Sequence, residues 1–158
     1  MMKLSREDHA QVFIQAEFVL LISILMGFLL NFFLTIQIPF PKIIRIPLGI
    51  VIILTGVIIL LLSMERFRKA HTYSSPYKPV KSLITKGPYK RSRHPMYLGR
   101  LLQQIGIGVA FGNVWILLML VPAFIVVWYG VIVPEEQYLE RRFGQKYLQY
   151  KCSTRCWI

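Results

Sequence analysis

Charged residues are scarce in this 158-residue chain, and acidic residues are the scarcest of them. Only 16% of the residues are charged, against 55% that are hydrophobic, and the mean hydropathy is +0.53. Soluble domains carry about 25% charged residues, so the composition excludes a disordered chain and argues against a soluble globule. The two cysteines, Cys152 and Cys156, are too few for a disulfide framework or for a zinc site of their own. We therefore expect no metal.

The charge is strongly one-sided. Seven Asp and Glu stand against 19 Lys and Arg, which gives a formal net charge of +12 and a pI near 10.1. In a soluble protein such an excess would point to nucleic acid. In a chain this hydrophobic it points to the anionic surface of a membrane. The expected partner of the basic residues is therefore anionic lipid and not nucleic acid.

Four hydrophobic runs supply the membrane segments. About 20 residues at 1.5 Å per residue cross a hydrocarbon core of about 30 Å. Three of the runs contain no charge, and the other is interrupted by Arg100, Gln103 and Gln104. The sequence predicts an all-α, polytopic membrane protein that forms a single domain over residues 1–158, with four spans at about 18–38, 46–64, 95–111 and 114–133.

Proline and glycine mark where these helices bend or end. Pro122 lies inside the fourth run and predicts a kink. Pro134 suits the first turn of a further helix, and Glu135 and Glu136 then complement the positive end of the helix dipole. This amphipathic C-terminal helix is predicted over 134–151, with a break at Gly144.

The distribution of Lys and Arg predicts the orientation. The loop at 65–94 holds nine of these cations and the tail after Val133 holds five. The short loop between the first two spans holds two, and the Gly112-Asn113 turn holds none. Cationic loops stay on the cytoplasmic side. We therefore expect a cytoplasmic basic loop and cytoplasmic termini, with the chain in the inner membrane if it is bacterial.

The stretch from Thr85 to Gly99 carries the chemistry. It reads T-K-G-P-Y-K-R-S-R-H-P-M-Y-L-G, a loop that tightens onto the start of a helix at Pro95. The amides of a first helical turn form an anion site, and Arg93 and His94 lie beside it. Two simpler interpretations remain open, because interfacial Tyr and Arg are common membrane anchors and His94 could cap the helix.

In order and spacing, several motifs together resemble a known family. In chain order they are G-P-Y, R-H-P-x-Y-x-G at the start of a span, a hydrophobic hairpin, E-E and F-G-x-x-Y-x-x-Y. This combination is similar to that of the isoprenylcysteine carboxyl methyltransferase family of integral-membrane enzymes. The resemblance runs from about Lys81 to the C-terminus. It implies S-adenosylmethionine as cofactor and a lipophilic membrane substrate, without assigning a catalytic residue. The cofactor contacts that it implies are Lys81, Ser82, Leu83, Ile84, Tyr89, His94, Pro95, Met96, Tyr97 and Glu135.

The sequence departs from the family at the acceptor site. Eukaryotic members hold the substrate carboxylate with an arginine four residues before the cofactor glutamate, and Val131 occupies that position here. Arg100 is a candidate substitute. Arg100, Gln103 and Gln104 share one helical face, which we expect to line an acceptor cavity. The alternative is that the two glutamines hydrogen-bond to a neighbouring helix.

Four functions remain open. Carboxyl methylation of an isoprenylcysteine-type substrate leads, and N-methylation of a phospholipid amine is the nearest alternative. A carboxylate acceptor needs a nearby cation, whereas an amine needs a carboxylate or an aromatic cage. A sterol-type reductase would instead bind a nicotinamide dinucleotide. A non-enzymatic membrane scaffold would tolerate shuffling of the basic loop.

Overall fold

The computed structural model describes residues 15–70 and 82–157 of the chain. Within them every regular element is a helix, so the predicted all-α fold is confirmed. The helices are α1 (Ala16–Phe33), α2 (Lys42–Lys69), a 3-10 turn (Gly87–Lys90), α3 (Pro95–Phe111), α4 (Val114–Leu118), α5 (Leu120–Val127), a π turn (Trp128–Ile132), α6 (Val133–Phe143) and α7 (Gln145–Ser153).

Three stretches in the described residues are long and apolar enough to cross a membrane. They are Ala16–Phe33, Lys42–Lys69 and Val114–Phe143, the last running through α4, α5, the π turn and α6. Their outward faces are apolar and exposed, as at Phe32 and Ile43, which suits contact with lipid tails. Helix α3 has 17 residues and a length of about 25 Å. The span predicted at 95–111, and with it the count of four spans, stays a prediction.

Helices α2 and α3 pack through matched glycines. A Cβ on Gly56 would lie 2.5 Å from the Gly99 carbonyl oxygen, and a Cβ on Gly106 would lie 2.7 Å from the Gly49 carbonyl oxygen. The two glycines of α2 are seven residues apart, and so are the two glycines of α3. Both contacts therefore fall on one face of each helix, and the two helices run antiparallel. Close backbone approach through small residues is a principal means of packing helices in lipid.

The first predicted span extends too far at its C-terminal end. Helix α1 ends at Phe33, and the chain beyond it is extended. Ile38 N–H donates to the Gly112 carbonyl and Val114 N–H donates to the Ile36 carbonyl. The segment leaves the helix because its backbone pairs with the turn between α3 and α4.

The fourth predicted span is broken and extended. A break after α4 precedes Pro122, whose missing N–H leaves the Leu118 carbonyl without its helical donor. The π turn similarly precedes Pro134, and the chain passes directly into α6. The predicted break at Gly144 is confirmed, with φ at +54°. Beyond these interruptions the helical path brings α6 and α7 beside the start of α3 and the loop before it.

Candidate cofactor and acceptor site

The start of α3 places the R-H-P-x-Y residues at one end of the helix bundle. The 3-10 turn leads into this region, and Tyr150 of α7 donates a hydrogen bond of 2.6 Å to the Tyr89 carbonyl. His94 is the N-cap residue of α3 and Pro95 follows it within the first turn. His94, Pro95 and Tyr97 are all buried. The loop is therefore held against the C-terminal helices.

Helix α6 brings two carboxylates to this loop. Tyr97 Oη donates to Glu135 Oε2 at 2.9 Å. Glu136 Oε1 lies 3.2 Å from His94 Nε2 and 3.2 Å from Arg93 Nη2. The side chain of His94 is only 2% exposed, whereas that of Glu135 is 25% exposed. The side chain of Glu136 is 16% exposed, so Glu135 is the more accessible of the two carboxylates.

Several buried polar atoms around this loop have no hydrogen-bond partner among the described residues. They are Ser82 Oγ, Arg93 Nε, Arg93 Nη1 and Tyr147 Oη. Burial raises the pKa of the Tyr147 hydroxyl well above its ordinary value, so this group stays protonated and able to donate. Because buried polar groups are normally paired, these atoms fit a site that receives a polar ligand.

The structure brings His94, Tyr97 and Glu135 together, out of the ten residues that the resemblance implies for the cofactor. Ser82, Leu83 and Ile84 are half-buried and lie on the loop that leads to the 3-10 turn. Tyr89 is buried edge-on against Phe67, and Met96 is half-buried. Lys81 lies outside the described residues.

Three residues join this site that are not among the ten implied for the cofactor. Arg93 and Glu136 were visible as parts of the R-H-P and E-E motifs, but their ion pair required the return of α6. Trp157 had no local signal. It reaches the site because Arg93 N–H donates to the Arg155 carbonyl and Ser92 Oγ donates to the Cys156 carbonyl.

His94, Glu136 and Cys156 form a compact trio. Their potential ligand atoms all lie within 4.8 Å of one another. Burial raises the pKa of the Cys156 thiol, which disfavours the thiolate that metals bind. Arg93 bonds Glu136, and Lys151 Nζ lies 3.5 Å from the same carboxylate. Fixed positive charge therefore already balances this trio, which makes it an ion-pair network.

Arg100 lies next to the cofactor residues, one turn farther along α3. Its guanidinium is paired with Glu17 of α1 and lies 5.9 Å from the centre of the Tyr97 ring. Val131 is 1% exposed and packs in the same apolar cluster as Tyr97 and Ala16. Arg100 and Val131 thus flank the same tyrosine, although they come from different helices.

Gln103 and Gln104 contact different neighbours in the described residues. Gln104 is 1% exposed, and its side chain lies 3.0 Å from Ser23 Oγ and donates to the Ile116 carbonyl at 3.2 Å. Gln103 instead packs beside Gly56 of α2. The acceptor cavity expected on the face of Arg100, Gln103 and Gln104 stays a prediction. The contacts of Gln104 match the alternative of hydrogen bonding between helices.

An apolar groove of about 390 Å³ lies between α3 and α5. Its outer rim carries Val121 and Ile125, which are 60% and 50% exposed. Trp157 borders it beside Phe124, with ring centres 5.4 Å apart. The lining residues are Leu98, Leu101, Leu102, Ile105, Leu120, Val121, Phe124, Ile125 and Trp157.

Comparison with known proteins identifies the family. Residues 44–146, more than half of the chain, match the family model described as phospholipid methyltransferase. The chain belongs to the phospholipid methyltransferase family. Together with its long apolar helices, this membership makes the chain an integral membrane protein.

Two curated relatives resemble this member of the phospholipid methyltransferase family. Protein-S-isoprenylcysteine O-methyltransferase A of Arabidopsis thaliana is 31% identical over 111 residues, covering 67% of this chain and 55% of that protein. Cobalt-zinc-cadmium resistance protein CzcN of Cupriavidus metallidurans is 34% identical over 64 residues, covering 40% of this chain and 30% of that protein. The chain spans about half the length of the first relative and less of the second. No solved structure matches it.

Proposed function

We propose that this chain is an S-adenosylmethionine-dependent methyltransferase that acts on a lipophilic acceptor in the membrane. The observation that carries the proposal is the meeting of two environments at Trp157. One is the charged cluster of His94, Tyr97 and Glu135, and the other is the apolar groove between α3 and α5. Family membership supports the same reaction class.

The donor set suits the charges of this cofactor. Glu135 can accept from the cofactor's ammonium group, because its carboxylate is one quarter exposed and, within the described part of the chain, only its Oε2 accepts a hydrogen bond, from Tyr97. The cofactor carboxylate needs donors, which the first-turn amides of α3 and the unpartnered nitrogens of Arg93 supply. The unpartnered Ser82 hydroxyl lies on a segment that the family resemblance also assigns to the cofactor.

The residues of the chain act mainly by positioning. When bound, the cofactor supplies a methyl group on a sulfonium, which becomes a neutral thioether as the acceptor takes the methyl. The reaction requires the acceptor atom, the methyl carbon and the sulfur in line. Alignment of this kind replaces the entropy of a bimolecular encounter and is worth up to about 7–11 kcal/mol. His94 and Tyr97 are buried, and beside a bound cofactor they would help to exclude water.

A carboxylate of the isoprenylcysteine type is the leading acceptor. Arg100 is the candidate cation for it, since its guanidinium lies over Tyr97, which belongs to the same apolar cluster as Val131. The Arabidopsis relative is named for O-methylation of such a cysteine. The competing acceptor is a phospholipid amine. It is favoured by the Glu17 carboxylate, which already occupies Arg100 and would itself attract an amine.

Two assays separate these functions. Calorimetry on the purified protein should show binding of S-adenosylhomocysteine and none of a reduced nicotinamide dinucleotide. Binding of the dinucleotide alone would indicate a sterol-type reductase, and binding of neither would indicate a scaffold. With methyl-labelled cofactor, a methyl ester on an S-alkylcysteine releases labelled methanol in base, whereas a methylated phosphatidylethanolamine does not.

The orientation belongs to the same proposal. We place both termini and the 65–94 loop in the cytoplasm, where a water-soluble cofactor would enter and anionic lipid would meet the cations. Arg66, Arg68 and Lys69 continue α2 past its apolar part. The remainder of this loop up to Lys81 lies outside the described residues.

A further inference from the structure

The imidazole of His94 lies between two carboxylates of α6, one at each ring nitrogen. Its Nε2 is 3.2 Å from Glu136 Oε1, within hydrogen-bond distance, whereas its Nδ1 is 4.0 Å from Glu135 Oε2, beyond that distance. Ser92 Oγ accepts from the His94 backbone N–H at 3.3 Å, and the imidazole side chain is 2% exposed. The ring is therefore held in place, and its two nitrogens have different surroundings.

The Glu136 carboxylate determines which ring nitrogen carries the proton. Arg93 Nη2 lies 3.2 Å from the same Oε1, and Lys151 Nζ lies 3.5 Å from Oε2. A carboxylate that pairs with two cations is ionised, and an ionised carboxylate only accepts hydrogen bonds. Nε2 of His94 must therefore donate to it, and in the neutral ring Nδ1 is left with a lone pair.

The lone pair on Nδ1 faces a second acceptor. Glu135 Oε2 already accepts from Tyr97 Oη at 2.9 Å. Two acceptors that face each other across 4.0 Å need a donor between them, because neither can satisfy the other. A water molecule has donors but no charge. A primary ammonium group suits the position better, because it has three donors and a positive charge that matches the Glu135 carboxylate.

We propose that Glu136 is a positioning residue that fixes the His94 tautomer, so that Nδ1 and Glu135 together hold an ammonium group. This role rests on the proposed methyltransferase function, in which the ammonium belongs to the cofactor. His94 then acts as an acceptor for the ammonium, although it lies beside an anion site. Without Glu136, the carboxylate that remains at the ring is Glu135. The proton then moves to Nδ1, where it competes with the ammonium for Glu135.

The first test compares two ligands that differ only in the amino group. Full-length protein in detergent is titrated by calorimetry with S-adenosylhomocysteine and with its deaminated analogue, in which hydrogen replaces the amino group. The ratio of the two dissociation constants measures the preference for the amino group, and any general loosening of the site cancels in it. In Glu136→Leu this preference should fall about tenfold, the effect of losing one hydrogen bond to a charged group.

Two variants separate positioning from the loss of charge. Glu136→Gln keeps an oxygen for Nε2–H, and Arg93 donates to the same oxygen and so orients the amide. This variant should retain the wild-type preference. Glu140→Leu is the matched control and should also retain it. Glu140 contacts Lys151 Nζ at 3.4 Å, as Glu136 does at 3.5 Å, and lies one turn farther along α6.

The outcomes of the titrations are distinguishable. An unchanged preference in Glu136→Leu, or an equal fall in Glu136→Gln, would overturn the role of Glu136. Equal affinity of wild type for both ligands would show that the amino group is held elsewhere, and would leave the proposed function standing. If wild type binds neither ligand, the proposed function fails.

The second test observes the tautomer and needs no turnover. The chain has three histidines, so His9→Gln and His71→Gln leave His94 as the histidine that carries a nitrogen isotope label. In this background, NMR at mildly alkaline pH should show a protonated Nε2 and an unprotonated Nδ1. S-adenosylhomocysteine should shift the Nδ1 resonance, and the deaminated analogue should not. A proton on Nδ1 without ligand would contradict the assignment, whether or not the Glu136→Leu protein folds.

Discussion

Replacing Glu135 with glutamine removes one charge from the candidate cofactor site and very little else. Glutamine has nearly the same shape, and its amide oxygen can still accept the 2.9 Å bond from Tyr97 Oη. The fold should therefore survive. What disappears is the negative charge that would hold the cofactor's ammonium group.

The magnitude follows from the exposure of the carboxylate. A hydrogen bond to a charged group contributes about 1.5–3 kcal/mol. The Glu135 side chain is 25% exposed, so water screens part of this and the lower half of the range applies. A loss of about 1.5–2 kcal/mol corresponds to roughly ten- to thirtyfold weaker binding. The assay is calorimetry with S-adenosylhomocysteine on protein in detergent.

Glu140→Gln is the matched control for charge on the same helix. Five residues after Glu135, it lies about 140° around α6. Its carboxylate bonds Lys151 Nζ at 3.4 Å and is 43% exposed. We expect the affinity of the Glu140→Gln protein for S-adenosylhomocysteine to stay within about twofold of that of wild type. His94→Ala should also weaken binding, because this ring is buried against Glu136. Unchanged affinity in both Glu135→Gln and His94→Ala would refute the site.

Three further predictions concern the fold, the orientation and the tail. Gly56→Ala should destabilise the protein by about 1–3 kcal/mol and lower its Tm, because the added Cβ meets the α3 backbone; Gly130→Ala, in open space, should not. In a protein with Phe111→Cys, an impermeant maleimide should label that exposed position in intact cells. It should reach the exposed Cys152 only after lysis, and labelling of Cys152 from outside would reverse the topology. Cys156 should alkylate more slowly than Cys152, since burial raises the pKa of its thiol; equal rates measured by mass spectrometry would show that the tail is not held on the loop.

The glutamines of α3 show where prediction from the sequence reached its limit. Polar residues in a membrane helix must be satisfied by something other than lipid, and that much followed from the pattern. Whether the partner is a cavity or another helix depends on which helices flank α3. Ser23 lies 81 residues away from Gln104 in the chain, so no local spacing could indicate their contact.

The end of the first predicted span illustrates the same limit. Residues 34–38 are apolar enough to continue a helix, and hydropathy alone extends the span through them. They are extended because Ile36 and Ile38 pair with the backbone around Asn113. This pairing depends on the tertiary packing, which places the turn between α3 and α4 beside Ile36 and Ile38.

The class of protein and the helical fold could be predicted from the amino-acid sequence. Uncharged runs near 20 residues leave few alternatives in lipid, because every backbone polar group must be satisfied within the segment. The R-H-P-x-Y and E-E motifs likewise marked the residues that meet at the site. Which groups pair there depended on the folded chain: His94 with Glu136, Tyr97 with Glu135, and Trp157 against both the charged cluster and the groove. Those contacts join residues about 40 to 60 positions apart, and no local pattern of residues indicates that α6 and the tail pack against the loop before α3.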